Sequence, residues 1–211
     1  MANIAVATLL DKFPVSANPK DFINTSFGEL PRGTITEISG VRSTGRTALI
    51  HSILALATTQ EETCAVIDCA DTFDPASATK NGIHLERLLW VRCGTRPERA
   101  MKAADWILHA GGFGVVVLDL CGIAPEILRR IPLSWWYRFR RAIENTRTVL
   151  AIVADQPLTG SCAARVLVTE RARPIWSGSK LVPLLAAFEM KIVSRKPAQA
   201  APTLISAKHA G

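Results

Sequence analysis

Gly40, Arg42, Ser43, Thr44, Gly45, Arg46 and Thr47 lie in "SGVRSTGRTAL" at nearly the spacing of G-x-x-x-x-G-K-[ST], with arginine in place of the lysine. In that pattern, glycines let backbone N–H groups turn inward at a helix N-terminus and cradle phosphate oxygens. The lysine reaches the outer phosphates, and the Ser/Thr hydroxyl holds Mg²⁺. Asp119 ends the run "GVVVLDL", where a carboxylate sits beside metal-bound water, so Thr47 and Asp119 are the metal-side pair of any bound Mg-nucleotide. Arg46 alters this chemistry, because a guanidinium is a larger, planar fork where lysine is a compact ammonium on a flexible stem. Weaker nucleotide binding and poorer transition-state stabilisation are the expected consequences. Arg42 adds positive charge that keeps anion binding open.

Such a loop needs a strand before it and a helix after it. "TITEIS" (34–39) alternates β-branched and polar residues, and "TALIHSILALATTQ" carries apolar residues at helical spacing. "TCAVIDC" (63–69), "LLWVRC" (88–93), "GVVVLDL" (114–120) and "TVLAIVAD" (148–155) read as further buried strands. Helices are predicted over 96–111, with Pro97 in the first turn and Gly111 closing it, and over 132–146. Beyond residue 160, "AARVLVTE", "RPIWSG" and "LAAFEMKIVS" read as shorter β-like segments separated by turns. Strands alternating with helices imply an α/β domain whose mostly parallel sheet is covered on both faces. Residues 1–27 read as a lead-in of short helix and loop, and the Pro/Ala-rich segment 195–211 as a flexible tail, around a core of 28–194.

The chain has 211 residues, 48% of them hydrophobic, which is enough for one α/β domain with a sizeable core. No apolar run approaches the ~20 residues needed to cross a bilayer, and the N-terminus lacks the basic region of a secretory signal, so a cytoplasmic protein without a membrane partner is expected, with nucleoid association open to it. Five cysteines form no CxxC pair, and reduced core thiols are expected of them. The four histidines are too scattered for a metal site, and Ser161 and Cys162 have no neighbouring base for nucleophilic catalysis. A net charge of +7 suits a partner rich in phosphate or carboxylate.

At this point the sequence resembles the RecA-like recombinases. "LPRGTITEISGVRSTGRTALIHSILALA" looks like the entry to the RecA core, including its L-P-x-G lead from Leu30 to Gly33. "TCAVIDCADTFDPASATKNGIHLERLLW" is similar to a RecA segment of pattern T-C-A-F-I-D-A-E-H-A-L-D-P…G-V…L-L, matching at Ile67, Asp68, Asp74, Pro75, Gly82, Leu88 and Leu89. "GVVVLDL" takes the place of the Walker B strand, and "VLAIVADQ" that of the strand ending in the nucleotide-sensing glutamine, here Gln156. The resemblance covers roughly 28–193 and implies a RecA-like P-loop core with antiparallel C-terminal strands.

Against that family the differences are concentrated at function. The position of the catalytic glutamate falls on Ala70, with the shorter Asp71 one place on. The segments "LCGIAPEILRRIPL" and "PLTGSCA" stand where RecA proteins carry long glycine-rich DNA-binding loops. Together with Arg46, these changes point away from ATP hydrolysis and strand exchange. Such a core resembles the ImuA family of damage-inducible mutagenesis cassettes, to which "RRAIENTRTVLAIVADQPLTGSCAARVLV" is similar. That likeness implies a non-catalytic accessory protein in the DNA damage response and translesion synthesis. Its implied partners are an ImuB-like Y-family-type protein, an error-prone polymerase and RecA, with no cofactor required and ATP/Mg optional. Residues 1–27 are the segment expected to self-associate.

Arg129, Arg130, Arg138, Arg140 and Arg141 surround Trp135 and Trp136 in a basic, aromatic region that could stack on bases and follow phosphates of DNA, and Arg165, Arg171 and Arg173 with Trp176 form a second such region. The same residues could face the core, Trp135 and Phe139 being four apart, or a protein partner. The rival account is enzymatic: a recombinase paralogue in which Arg46 and Asp71 stand in and ATP is slowly hydrolysed. ATP turnover abolished by Asp119→Ala would favour it.

Overall fold

A computed structural model describes residues 22–179, 182–197 and 202–208. Residues 1–21 lie outside the described residues, so expectations for that segment stop at residue 22. The described residues open with a hairpin, β1 (Phe22–Thr25) and β2 (Gly28–Pro31), where the end of a lead-in of helix and loop was expected. Residue 28, the expected start of the core, is the first residue of β2, paired with Thr25. Ile23 and Leu30, paired across the hairpin, and Phe27 in its turn are buried against the core, a signal too brief to stand out among prolines and asparagines.

Five parallel strands form the heart of the molecule: β3 (Thr34–Ser39), β4 (Cys64–Asp68), β5 (Leu88–Arg92), β6 (Val115–Asp119) and β7 (Val149–Ala154). Then come β8 (Arg165–Ser179), β9 (Val182–Lys196) and β10 (Thr203–Lys208), giving the order β10-β9-β8-β3-β7-β6-β4-β5. β8 runs parallel to β3, whereas β9 and β10 are antiparallel. The segments expected as short β pieces are two strands of 15 residues each. The tail expected to be flexible carries β10, paired from Thr203↔Ile192 to Lys208↔Ala187.

The parallel strands alternate faces residue by residue. Val116 and Leu118 join the cluster under α3 (Pro97–Ala110) and α5 (Leu133–Ile143), and Val115 and Val117 join the one under α1 (Arg46–Thr59). Short helices α2 (Pro75–Lys80) and α4 (Pro125–Leu128) complete the helical set. α5 buries Trp136, Phe139 and Ile143, three and four residues apart, as a helix facing the core must. Each such side chain contributes about 2–3 kcal/mol by leaving water. Asp105 of α3 accepts a bidentate bond from Arg138 of α5, at 2.5 and 2.8 Å, locking the helices side by side. Among the described residues no helix is long and apolar enough to cross a membrane.

Candidate functional site

The C-terminal ends of β3, β4, β6 and β7 point the same way, so the loops that follow them converge. The glycine loop leaves β3 at Gly40, where no larger residue fits: a Cβ there would lie 2.5 Å from the Thr169 carbonyl oxygen. Gly45 adopts a left-handed conformation with φ 94°, and α1 starts immediately after it with no side-chain cap. The first N–H groups of α1 therefore lack a side-chain acceptor and face a cleft of about 430 Å³. Arg42, Ser43, Arg46, Thr47, Ala70 and Asp119 line that cleft.

Most of the loop's polar groups already have partners. Thr44 Oγ1 donates to Val41 O at 2.7 Å and meets Thr169 Oγ1 at 2.7 Å, so it anchors the loop to β8 and is not available to a ligand. Arg46 is buried, its side chain 9% exposed, and its guanidinium donates to Asp155 Oδ1 at 2.5 Å. Asp155 Oδ2 accepts from Gly122 N at 3.2 Å, which ties the loops after β3, β6 and β7 to one carboxylate. Thr47, by contrast, is exposed on the cleft beside Asp119.

Asp119 accepts from Cys121 N at 2.9 Å. Burial raises its carboxyl above the usual range, and nearby Asp68 adds to this, while the Cys121 hydrogen bonds and Arg46 oppose it. Asp68 is buried and accepts from Thr72 N at 3.1 Å and Phe73 N at 2.8 Å, shaping the turn that carries positions 70–73. Ala70 presents a methyl group to the cleft. Asp71 sits at φ 61°, and both its oxygens are held by Arg92. The Arg92 hydrogen bonds hold the Asp71 carboxyl below its usual range. Asp71 is thus bonded away from the cleft and is not placed to act as the missing base.

Gln156 is separated from this group. It lines a second groove, on the other side of the glycine loop, with Ser39, Gly40, Arg42, Thr44 and Asp155. The loop after β7 is held by Glu37, buried in β3, which accepts from Leu158 N at 2.5 Å, Thr159 N at 3.2 Å and Thr159 Oγ1 at 2.7 Å. Neither Glu37 nor Asp155 stood out in the sequence. Asp155 carried the same signal as Asp119, an acid closing an apolar strand.

The expected DNA or partner surface divides. Arg129, Arg130, Arg138, Arg140 and Arg141 are exposed, with Arg138 engaged by Asp105, and Trp135 is half-buried against Phe139. Trp136 is a correction: it is 1% exposed, inside the core. Arg165 is a second correction, 7% exposed, its guanidinium donating to the carbonyls of Glu29 and Phe27 in the hairpin. A basic residue near aromatics is no guide to which face of an element it occupies.

Burial pushes the Cys64 thiol up to about 12, and Cys69 likewise, in keeping with core thiols. No disulfide links the cysteines.

A model of the RecA N-terminal domain matches residues 16–127. Protein RecA of Methylococcus capsulatus is 35% identical over 127 residues, 60% of this chain and 36% of the relative. Protein RecA of Rickettsia massiliae is 35% identical over 105 residues, 49% of this chain and 30% of the relative. Protein RecA of Ectopseudomonas oleovorans is 38% identical over 100 residues, covering 47% and 28%. The chain thus spans about a third of the length of the curated relatives it matches.

Proposed function

The chain belongs to the RecA N-terminal domain family, and from that premise we propose that it serves as a non-catalytic accessory protein of the DNA damage response. The Arg46–Asp155 ion pair carries this proposal. A cation committed to an internal carboxylate is not free to draw a phosphate inward, and drawing it away would leave Asp155 without its partner. Ala70 offers no base, and Asp71 is bonded outward to Arg92. With hydrolysis set aside, the core becomes a scaffold whose surfaces dock partners.

The finer assignment is to the ImuA-like accessory role in error-prone translesion synthesis. The partners proposed are an ImuB-like Y-family-type protein, an error-prone polymerase and RecA. It is supported by the coincidence of the altered loop, the missing glutamate and the short segments after β6 and β7. The exposed arginines that follow α4 and those of α5 offer a surface for DNA or for those partners.

Damage-induced mutation frequency tests this role. Deleting the chain in the cells that carry it should abolish the induced component, and the Asp119→Ala variant should restore it fully. Induced mutation that persists in the deletion strain, or that Asp119→Ala fails to restore, would overturn the proposal.

A further inference from the structure

The groove on the far side of the glycine loop, about 610 Å³, is unused by this account. Val41, Pro157 and Val168 give its walls an aliphatic character, Val41 and Pro157 being exposed, and no aromatic lines it. Its two carboxylates are already engaged, Asp155 by Arg46 and Glu170 by Lys191 at 2.9 Å. Arg42, Arg171 and Arg195 therefore line it without a carboxylate partner among the described residues, Arg171 Nε donating to the Ser43 carbonyl at 3.3 Å. Arg195 reaches the groove from a bulge in β9: Ser194 pairs with Leu167 and Lys196 with Val166, leaving Arg195 unpaired between them. At the groove floor the Ser39 hydroxyl is buried and has no hydrogen-bond partner.

One wall is the outer edge of β8. β3 pairs with β8 only as far as Ser39↔Val168, and β8 continues to Ser179 with β9 alone beside it among the described residues. At Thr169 that other edge is met by the glycine loop through Gly40 and Thr44; beyond Thr169, among the described residues, its backbone N–H and C=O groups have no strand opposite them, the arrangement that accepts an added strand.

We propose that this groove docks an extended, acidic segment of a partner protein, which adds to the β8 edge and sets aliphatic side chains on Val41, Pro157 and Val168 while its carboxylates meet Arg42, Arg171 and Arg195. A strand alternates its side chains, so carboxylates and aliphatics at alternate positions match a groove lined by both arginines and aliphatic residues. Single-stranded nucleic acid fits less well, since bases stack on aromatic faces and the groove has none. A second copy of this chain brings a net charge of +7 against the same arginines. Residues 1–21, with two aspartates and two lysines, have no acidic excess. The inference rests on the docking-module reading and names the chemistry of one partner.

The test uses the full chain without nucleotide, so it is independent of any ATPase activity. A fluorescent short peptide of alternating glutamate and leucine is titrated, alongside its lysine/leucine counterpart, a version N-methylated at alternate residues, and a short oligodeoxythymidylate. Saturable binding of the Glu/Leu peptide is expected, weakened about tenfold or more by Arg195→Glu and by N-methylation, with no binding of the Lys/Leu peptide. Arg195→Glu is exposed and should melt with the parent, and Val41→Asp gives a second, independent disruption of the aliphatic lining. Peptide affinity unchanged in both variants would overturn the proposal. So would oligodeoxythymidylate binding that alone responds to them, or a shift to dimer that the variants abolish. Equal binding of the N-methylated peptide would remove the added-strand geometry.

Discussion

Arg46 and Asp155, 109 residues apart in the chain, meet at 2.5 Å between the start of α1 and the end of β7. The contact occupies the point where a phosphate loop's cation would turn toward its ligand. It also connects the glycine loop to the segment that follows β7. Asp155→Asn should free the guanidinium and raise the affinity for a fluorescent ATP analogue several-fold, while costing about 1–2 kcal/mol of stability as a partly exposed ion pair is lost. An unchanged or weaker affinity, read by anisotropy titration, would show that the pair does not restrain the loop.

Glu37 is the buried carboxylate on which the loop after β7 depends. Glu37→Ala leaves Leu158 N, Thr159 N and Thr159 Oγ1 without an acceptor, a loss of about 2–4 kcal/mol. Thermal unfolding should fall by on the order of 10 °C. A midpoint within about 2 °C of the parent would contradict the role given to Glu37.

Asp119 is held above its ordinary carboxyl range chiefly by burial. A raised carboxyl binds its proton more tightly in the folded state than in the unfolded one, so stability falls as pH rises from the ordinary aspartate range through the raised folded value. Asp119→Asn keeps an acceptor for Cys121 N and removes that cost. It should be more stable than the parent near pH 7, with the advantage shrinking as pH falls toward 3.8. Denaturant melts across that range decide it, and a gain that does not vary with pH would exclude burial of the charge as the cause.

Arg165 and Arg141 look alike in the sequence and should behave oppositely. Arg165→Ala removes the donors that hold the β1–β2 hairpin to β8, and it should lower the melting temperature without a specific effect on nucleic-acid affinity. Arg141→Ala, on the exposed face of α5, should leave melting unchanged. If DNA uses that face, it should reduce the slope of log K against log salt by about 1. Salt-dependent binding of a single-stranded oligonucleotide separates the two.

The parallel half of the sheet was legible because its signals are local. Gly40 and Gly45 are spaced by the loop they form, and Val115–Asp119 is an unbroken apolar strand closed by an acid. What was not legible depends on faces and on distant pairs. Trp136 and Trp135 are neighbours in sequence, but the helical turn sends one into the core and leaves the other half-exposed. Arg165 carries a charge that its position in β8 turns toward hairpin carbonyls. β10 was hidden in a Pro/Ala-rich segment, since its strand character comes from pairing with β9. Asp155 was readable as a strand terminus, but its partnership with Arg46 exists only once β3 and β7 lie side by side.

ATP turnover by the purified chain, with and without single-stranded DNA, tests the central claim most directly. Phosphate release is expected to be no faster than that of the Asp119→Ala variant under either condition. Turnover above that background, stimulated by DNA and lost in Asp119→Ala, would contradict it and establish a working ATPase in a site built around Arg46.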